Sequence, residues 1–210
     1  MGQGCGSHVE HAQANSEKAI ACEKAIAYAN SSKCVSTTSE LLRISTATIM
    51  VADEKQFMQH GKDFYKLIFK EAPKLRQHFF GMENIIDEDI DASNWFGRQS
   101  QRILTSTHAL VMAYDHETAF VAHVKSVVRS HVKLKINPAV WVKFFGIFAA
   151  FLRMKGGGMS KETWNAWTEI GLKFDRIVQQ SLADMGEPNS YTVSHIALPP
   201  SEKNQGRAME

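Results

Sequence analysis

Between Ser39 and Gly186 the apolar residues recur with a period near 3.6 and not 2, and no segment reads as a strand. A stripe of that period lies on one side of a helix and leaves the chain only one way to bury it, against other helices. The spacing predicts a first helix capped by Ser39 and running to about Ala52, then a second from Glu54 to Glu71. Pro73 opens a short one, where its missing N–H costs nothing. Gly81 to Ser93 is acidic and polar and reads as a loop with room for one turn. Ser93 caps a long helix to about Ala113, Asp115 starts another that ends soon after His131, and Pro138 opens the next through Met154. Three glycines at 156–158 break the chain, Ser160 caps the last helix, and Gly186 after Met185 supplies a left-handed exit. Six long helices and a short one in so compact a block make an all-α fold.

The flanks differ in kind. Residues 1–38 repeat EKAIA at Glu17–Ala21 and Glu23–Ala27, where Ser16 can cap a brief Ala-rich helix with little to bury; a largely flexible extension is expected. Residues 187–210 hold three prolines and no sustained period, and are expected to form a flexible tail. The domain expectation is therefore one helical unit over 39–186 with an extension at each end.

Charge and cysteine usage narrow the function classes. Lys and Arg number 24 against 22 Asp and Glu, for a net charge of +2 with no polybasic run, which argues against nucleic acid as a partner. The three cysteines (Cys5, Cys22, Cys34) all precede the helical block and form no CxxC pair. A disulfide framework would spread them through the fold, so a reducing, cytoplasmic setting is expected. No apolar run reaches the length of a membrane span, and MGQGCGSHVEHAQ lacks the apolar segment of a secretory signal. Gly2 is the acceptor that myristoylation needs, and Cys5 a candidate for palmitoylation. Gly6 stands where that pattern wants Ser or Thr, so a plain N-terminus is preferred over membrane attachment through acylation.

The nine histidines form neither HExxH nor a tight zinc-type spacing with cysteine. His116, His123 and His131 are seven and eight apart, loosely on one face and about 10 Å or more apart along a helix, too far to share an ion. His131 stands out by context. It follows Val127 and Val128 near the end of its helix, where an inward imidazole is either a buried hydrogen-bonded residue or an axial ligand.

A family resemblance bears on that choice. His60–Phe79, HGKDFYKLIFKEAPKLRQHF, is similar to the second and third helices of myoglobin-like globins. Gly61 matches the glycine at their close helix crossing, Pro73 the proline opening the short third helix, and Phe79, six residues on, the aromatic that wedges against the haem. Met82 replaces a larger aromatic. Arg98–Leu104 resembles the distal segment, with Gln99 in place of the usual distal histidine, Ile103 at the apolar ligand contact and Ser100 small opposite Gly61. Val127–Phe145, VVRSHVKLKINPAVWVKFF, resembles the proximal helix, its corner and the next helix. His131 falls on the iron-binding position, 32 residues after Gln99; Val127 lies one turn before it, and Pro138, Trp141 and Phe145 match the following helix. The gap from Gln99 to His131 is about three residues longer than in many globins, which a looser corner near Tyr114–Thr118 can absorb.

The resemblance implies a three-over-three helical sandwich around haem b, with His131 as the metal ligand. Phe79, Ile103, Val127, Trp141, Phe144 and Phe145 would line the pocket, as aromatic residues that otherwise read as ordinary core. His131 should donate its other ring N–H to a backbone carbonyl. On the distal side Tyr65 and Gln99 form the pair used by certain invertebrate globins, nematode ones in particular, and both can donate hydrogen bonds to bound dioxygen. Such bonds to a charged acceptor are worth about 1.5–3 kcal/mol. The alternatives are that Tyr65 points at a neighbouring helix and Gln99 at solvent. Glutamine coordinates iron poorly, so a five-coordinate ferrous site is expected. Arg102 is a candidate for a haem propionate, Lys135 a lesser one; His78 and His108 read as surface or packing residues.

The function implied is reversible binding of dioxygen and other small diatomic ligands, for storage, scavenging or oxygen sensing. The alternative is a redox or signalling globin using the same haem for electron transfer, nitric oxide or reactive-oxygen chemistry. Enzymatic nitric oxide removal would need a partner reductase, since the chain carries no flavin or nicotinamide module, and no acid–base residue marks it as an enzyme. Trp141, Trp164 and Trp167 read as intramolecular core or rim.

Overall fold

The structure, a computed structural model, describes residues 37–79, 83–137 and 139–187. The EKAIA repeat, Ser16, Gly2, the three cysteines, Met82, Pro138 and the tail beyond Glu187 lie outside the described residues. In chain order the helices are α1 (Thr38–Met50), α2 (Glu54–Glu71), a 3₁₀ segment (Pro73–His78), α3 (Asp87–Ala92), α4 (Asn94–Met112), α5 (Glu117–His131), a second 3₁₀ segment (Val132–Leu134), α6 (Ala139–Lys155) and α7 (Lys161–Asp184). No strand occurs among the described residues. Helices α1, α4 and α5 pack over α2, α6 and α7, a three-over-three sandwich.

The caps act where the side-chain chemistry puts them. Asp53 accepts from the Gln56 N–H, Ser93 from Phe96 and Ser160 from Thr163, each satisfying a donor that the first turn leaves open. Gly186 leaves α7 with a φ of 71°. Two expectations need correction. Helix α1 begins at Thr38, so Ser39 lies inside it, buried, and is not its cap. The stretch read as a loop contains the six-residue α3, where Asp89 accepts from the Ile86 N–H and Ile90 is fully buried.

Phenylalanine dominates the core. Phe64, Phe69, Phe96, Phe120, Phe145, Phe148 and Phe151 are all buried, Phe145 and Phe148 against Trp167, and Phe64 meets Phe148 edge-on at 4.9 Å. Burying one such side chain fully stabilises the fold by about 1.5–3 kcal/mol. The Trp167 indole donates to the Ser45 hydroxyl, so its one polar atom is satisfied.

Two features position the site. First, α2 and α4 cross at Gly61 and Ser100: a Cβ on Gly61 would lie 2.7 Å from the Ser100 Cα, a distance no real pair adopts. Because that clash is with backbone, no rotamer change relieves it. Gly61→Ala should therefore destabilise the protein by about 1–3 kcal/mol in urea unfolding; an unchanged midpoint would mean that the two helices do not meet this closely. Second, the corner Ala113–His116 between α4 and α5 is tied to α7. Tyr114 donates its hydroxyl to Glu169 at 2.6 Å, and Lys173 donates to the Tyr114 carbonyl at 2.9 Å and pairs with Glu117 at 2.8 Å. The Lys173 ammonium also lies 4.6 Å from the centre of the Phe120 ring. From that corner α4 and α5 diverge as the arms of a V.

Candidate functional site

A cavity of about 910 Å³ opens between the arms. Its walls are mostly aliphatic and aromatic, contributed by α2, α4, α5, α6, α7 and the two 3₁₀ segments, with polar side chains set among them on α4 and α5. That size and lining suit an organic cofactor. Tyr65, Phe79, Gln99, Arg102, Ile103, Val127, His131, Trp141, Phe144 and Phe145 all face it. Residues drawn from positions 65 to 145 thus converge on one space. Lys135 does not line it; this lysine is exposed in the corner after His131, with a left-handed φ of 49°.

On the α5 side, the His131 Nδ1 lies 2.8 Å from the Val127 carbonyl. A carbonyl only accepts, so the imidazole carries a proton on Nδ1. The Ser130 hydroxyl donates to the same carbonyl at 2.7 Å and sits 2.8 Å from Nδ1, where it accepts. In the neutral ring Nε2 then keeps its lone pair, on the side away from the helix backbone. Trp141 meets the imidazole edge-on at 5.3 Å and itself rests on Phe174, which fixes the plane of the ring from a second direction. Val128, one residue from Val127, turns instead into the core.

On the opposite side, Tyr65 projects from α2 among Phe69, Phe79 and Phe96, the last at 5.2 Å. The residue is 7 % exposed, yet its hydroxyl has no hydrogen-bond partner among the described residues. Burial pushes the phenol well above the usual tyrosine range, against a weaker pull from the Arg102 charge, so it remains a proton donor. Gln99 is half-buried on α4 and Arg102 is exposed one turn on, at the rim; neither has a hydrogen-bond partner among the described residues. Ile103 completes that stripe.

Several lining residues escaped the sequence reading. Trp95, Ser106, Leu110, His123 and Phe174 face the same cavity, and so does His78, read as surface or packing. His108 is half-buried at a packing position outside it. The signal for His123 was present, since 123, 127 and 131 recur at i, i+4 and i+8 on one face of α5. Phe174 lies far along the chain and carried none.

The residues present fit a haem. The cavity is mostly apolar, His131 turns its imidazole toward it with Nδ1 tied to a carbonyl, and the unpartnered Tyr65 hydroxyl faces it from the other wall. Among the described residues no three His, Cys, Asp or Glu side chains gather to hold a metal ion themselves. An iron bound by His131 must therefore bring most of its ligands with it. No single described helix is long and apolar enough to cross a membrane.

Comparison with known proteins bears on the fold and the family. The globin family model matches residues 62–178. A myoglobin of Nippostrongylus brasiliensis is 36 % identical over 149 residues, covering 71 % of this chain and 94 % of that protein. A myoglobin of Ascaris suum is 31 % identical over 132 residues, 62 % of this chain and 86 % of that one. Among solved structures, the globin-like protein of Caenorhabditis elegans superposes with a TM-score of 0.68 at 32 % identity, over 72 % of this chain and 95 % of that one. Myoglobin of Aplysia limacina, at 19 % identity and a TM-score of 0.61, shares the fold.

Proposed function

The chain belongs to the globin family, in its nematode-type branch, and on that premise we propose that it binds dioxygen reversibly at a five-coordinate ferrous haem b. The haem-binding unit in this reading is residues 39–186, flanked by the segments 1–38 and 187–210. The observation that carries it is the hydrogen bond from His131 Nδ1 to the Val127 carbonyl, beside a 910 Å³ apolar cavity. That bond leaves the second ring nitrogen available to a ligand. Haem supplies, when bound, an iron to which a small diatomic gas adds and from which it leaves.

The residues of the chain do the rest. His131 holds the iron from one side, its plane set by Trp141. Phe79, Ile103, Val127, Phe144 and Phe145 surround the macrocycle and exclude water, which would otherwise promote oxidation. Tyr65 and Gln99 would donate hydrogen bonds to a polar ligand; glutamine coordinates iron poorly, and burial keeps the Tyr65 phenol protonated and so a donor, not a phenolate ligand. Arg102, exposed at the rim, would be the partner for a propionate.

The test is the optical spectrum of the purified, haem-supplemented protein. A strong band near the blue edge of the visible range and a five-coordinate ferrous form are expected, with slow oxygen release. A six-coordinate low-spin ferrous spectrum without added ligand would place a side chain of this protein on the distal side and end the reading. Rapid oxidation with easy re-reduction would transfer the role to redox or signalling chemistry at the same haem.

A further inference from the structure

The arms of the V are each anchored elsewhere. Helix α4 is locked to α2 through the Gly61–Ser100 crossing, and α5 buries Phe120, Val124 and Val128 in the core. Across the gap they meet in one polar contact: the Ser106 hydroxyl on α4 and Nε2 of His123 on α5 lie 2.9 Å apart. No other hydrogen bond or ion pair joins the two helices among the described residues.

Its place along the arms matters. Ser106 lies six residues before the end of α4 and His123 six residues after the start of α5. At a rise of about 1.5 Å per residue, the bond sits roughly 9 Å up each arm from the corner. Gln99 and His131 stand thirteen and fourteen residues up, or about 20 Å. The corner is fixed on α7 by Tyr114 and Lys173. With the apex pinned and each arm packed on its own neighbours, the rung is the polar tie across the gap, halfway between the corner and the level of Gln99 and His131. Both members line the cavity. Burial lowers the His123 pKa, and each partner can serve as donor or acceptor in the bond.

We propose that Ser106 and His123 are a pair of positioning residues, a crossbar that sets the opening of the α4–α5 cleft and thereby the placement of His131 on the haem iron. The proposal rests on the haem reading above. Breaking the rung frees α5 to shift, which changes the strain on the iron–histidine bond and loosens the grip on the macrocycle.

The experiment compares the haem-loaded full chain with Ser106→Ala, His123→Leu, the double variant and Ser106→Thr. Two quantities are read: haem transfer from the ferric protein to an excess of an apo-globin acceptor, and the iron–histidine stretching band of the ferrous protein in resonance Raman. Each single removal should speed transfer by about tenfold, the worth of one hydrogen bond, and should move the band. The double variant should match the singles within about twofold, because one bond is lost only once. Ser106→Thr, which keeps the hydroxyl, should restore both readings. Should the leucine variant fail to fold, the alanine and threonine variants at position 106 decide the matter alone. Native band and transfer rate in Ser106→Ala, or effects that multiply in the double variant, would overturn the crossbar while leaving the haem reading intact. A native chain that takes up no haem would overturn both.

Discussion

Replacing His131 with leucine should abolish stable haem retention. The substitution removes the imidazole whose Nδ1 is tied to the Val127 carbonyl and keeps the apolar volume, so the helices should still fold. The hydrogen bonds that Ser130 and Val127 make to the ring disappear with it. Losing only a supporting contact to a metal-bound histidine typically costs 10–100-fold in affinity; losing the ligand itself should cost more. Haem transfer to an apo-globin acceptor should accelerate by at least about a hundredfold, and the ferrous iron–histidine band should vanish. His131→Gly separates loss of the ligand from loss of the fold. It opens a space beside Trp141, and free imidazole added to that variant should restore the five-coordinate ferrous spectrum. Normal iron anchoring in the leucine variant would show that another group of the protein holds the haem.

Much of the fold could be read from local chemistry because the decisive signals were local. Asp53, Ser93 and Ser160 mark helix starts by accepting the N–H three residues on, a relation contained within four residues of chain. The stripe of α2 extends over its whole length, so its bounds matched the expected Glu54–Glu71. Helix α3 shows where this stops. Six residues are too few to display a period, its acidic side chains look like any solvated loop, and its stability comes from Ile90 buried against other elements. At the site, the resemblance gave the ten residues that converge on the cavity, yet it did not contain the partners of the less familiar ones. Seven- and eight-residue spacing put His123 on the face of His131, but its partner Ser106 belongs to another helix and is an unremarkable polar residue in sequence. The cage of Phe69, Phe79 and Phe96 around Tyr65 likewise exists only once the 3₁₀ segment and α4 have folded onto α2.

Tyr65→Phe is expected to keep the structure and change the kinetics. The ring contacts survive the substitution, since every neighbour of Tyr65 described above touches the ring and none binds the hydroxyl. Only the donor is lost. Dioxygen bound to ferrous iron carries partial negative charge, and a hydrogen bond to a charged acceptor is worth about 1.5–3 kcal/mol, which corresponds to roughly 10–150-fold in dissociation. Oxygen release in stopped flow should accelerate by that factor. Carbon monoxide, far less polar when bound, should dissociate at nearly the native rate, and this contrast distinguishes a lost hydrogen bond from a widened cavity, which would affect both gases. Because burial holds the phenol protonated well beyond neutral pH, the native release rate should stay flat up to about pH 9 as far as this group is concerned. Gln99→Leu should show the same selectivity between gases with a smaller change, because its longer, half-exposed side chain gives up more freedom to hold the bond. Oxygen release within about twofold of native in Tyr65→Phe would place the hydroxyl out of reach of the ligand and leave Gln99 as the sole donor.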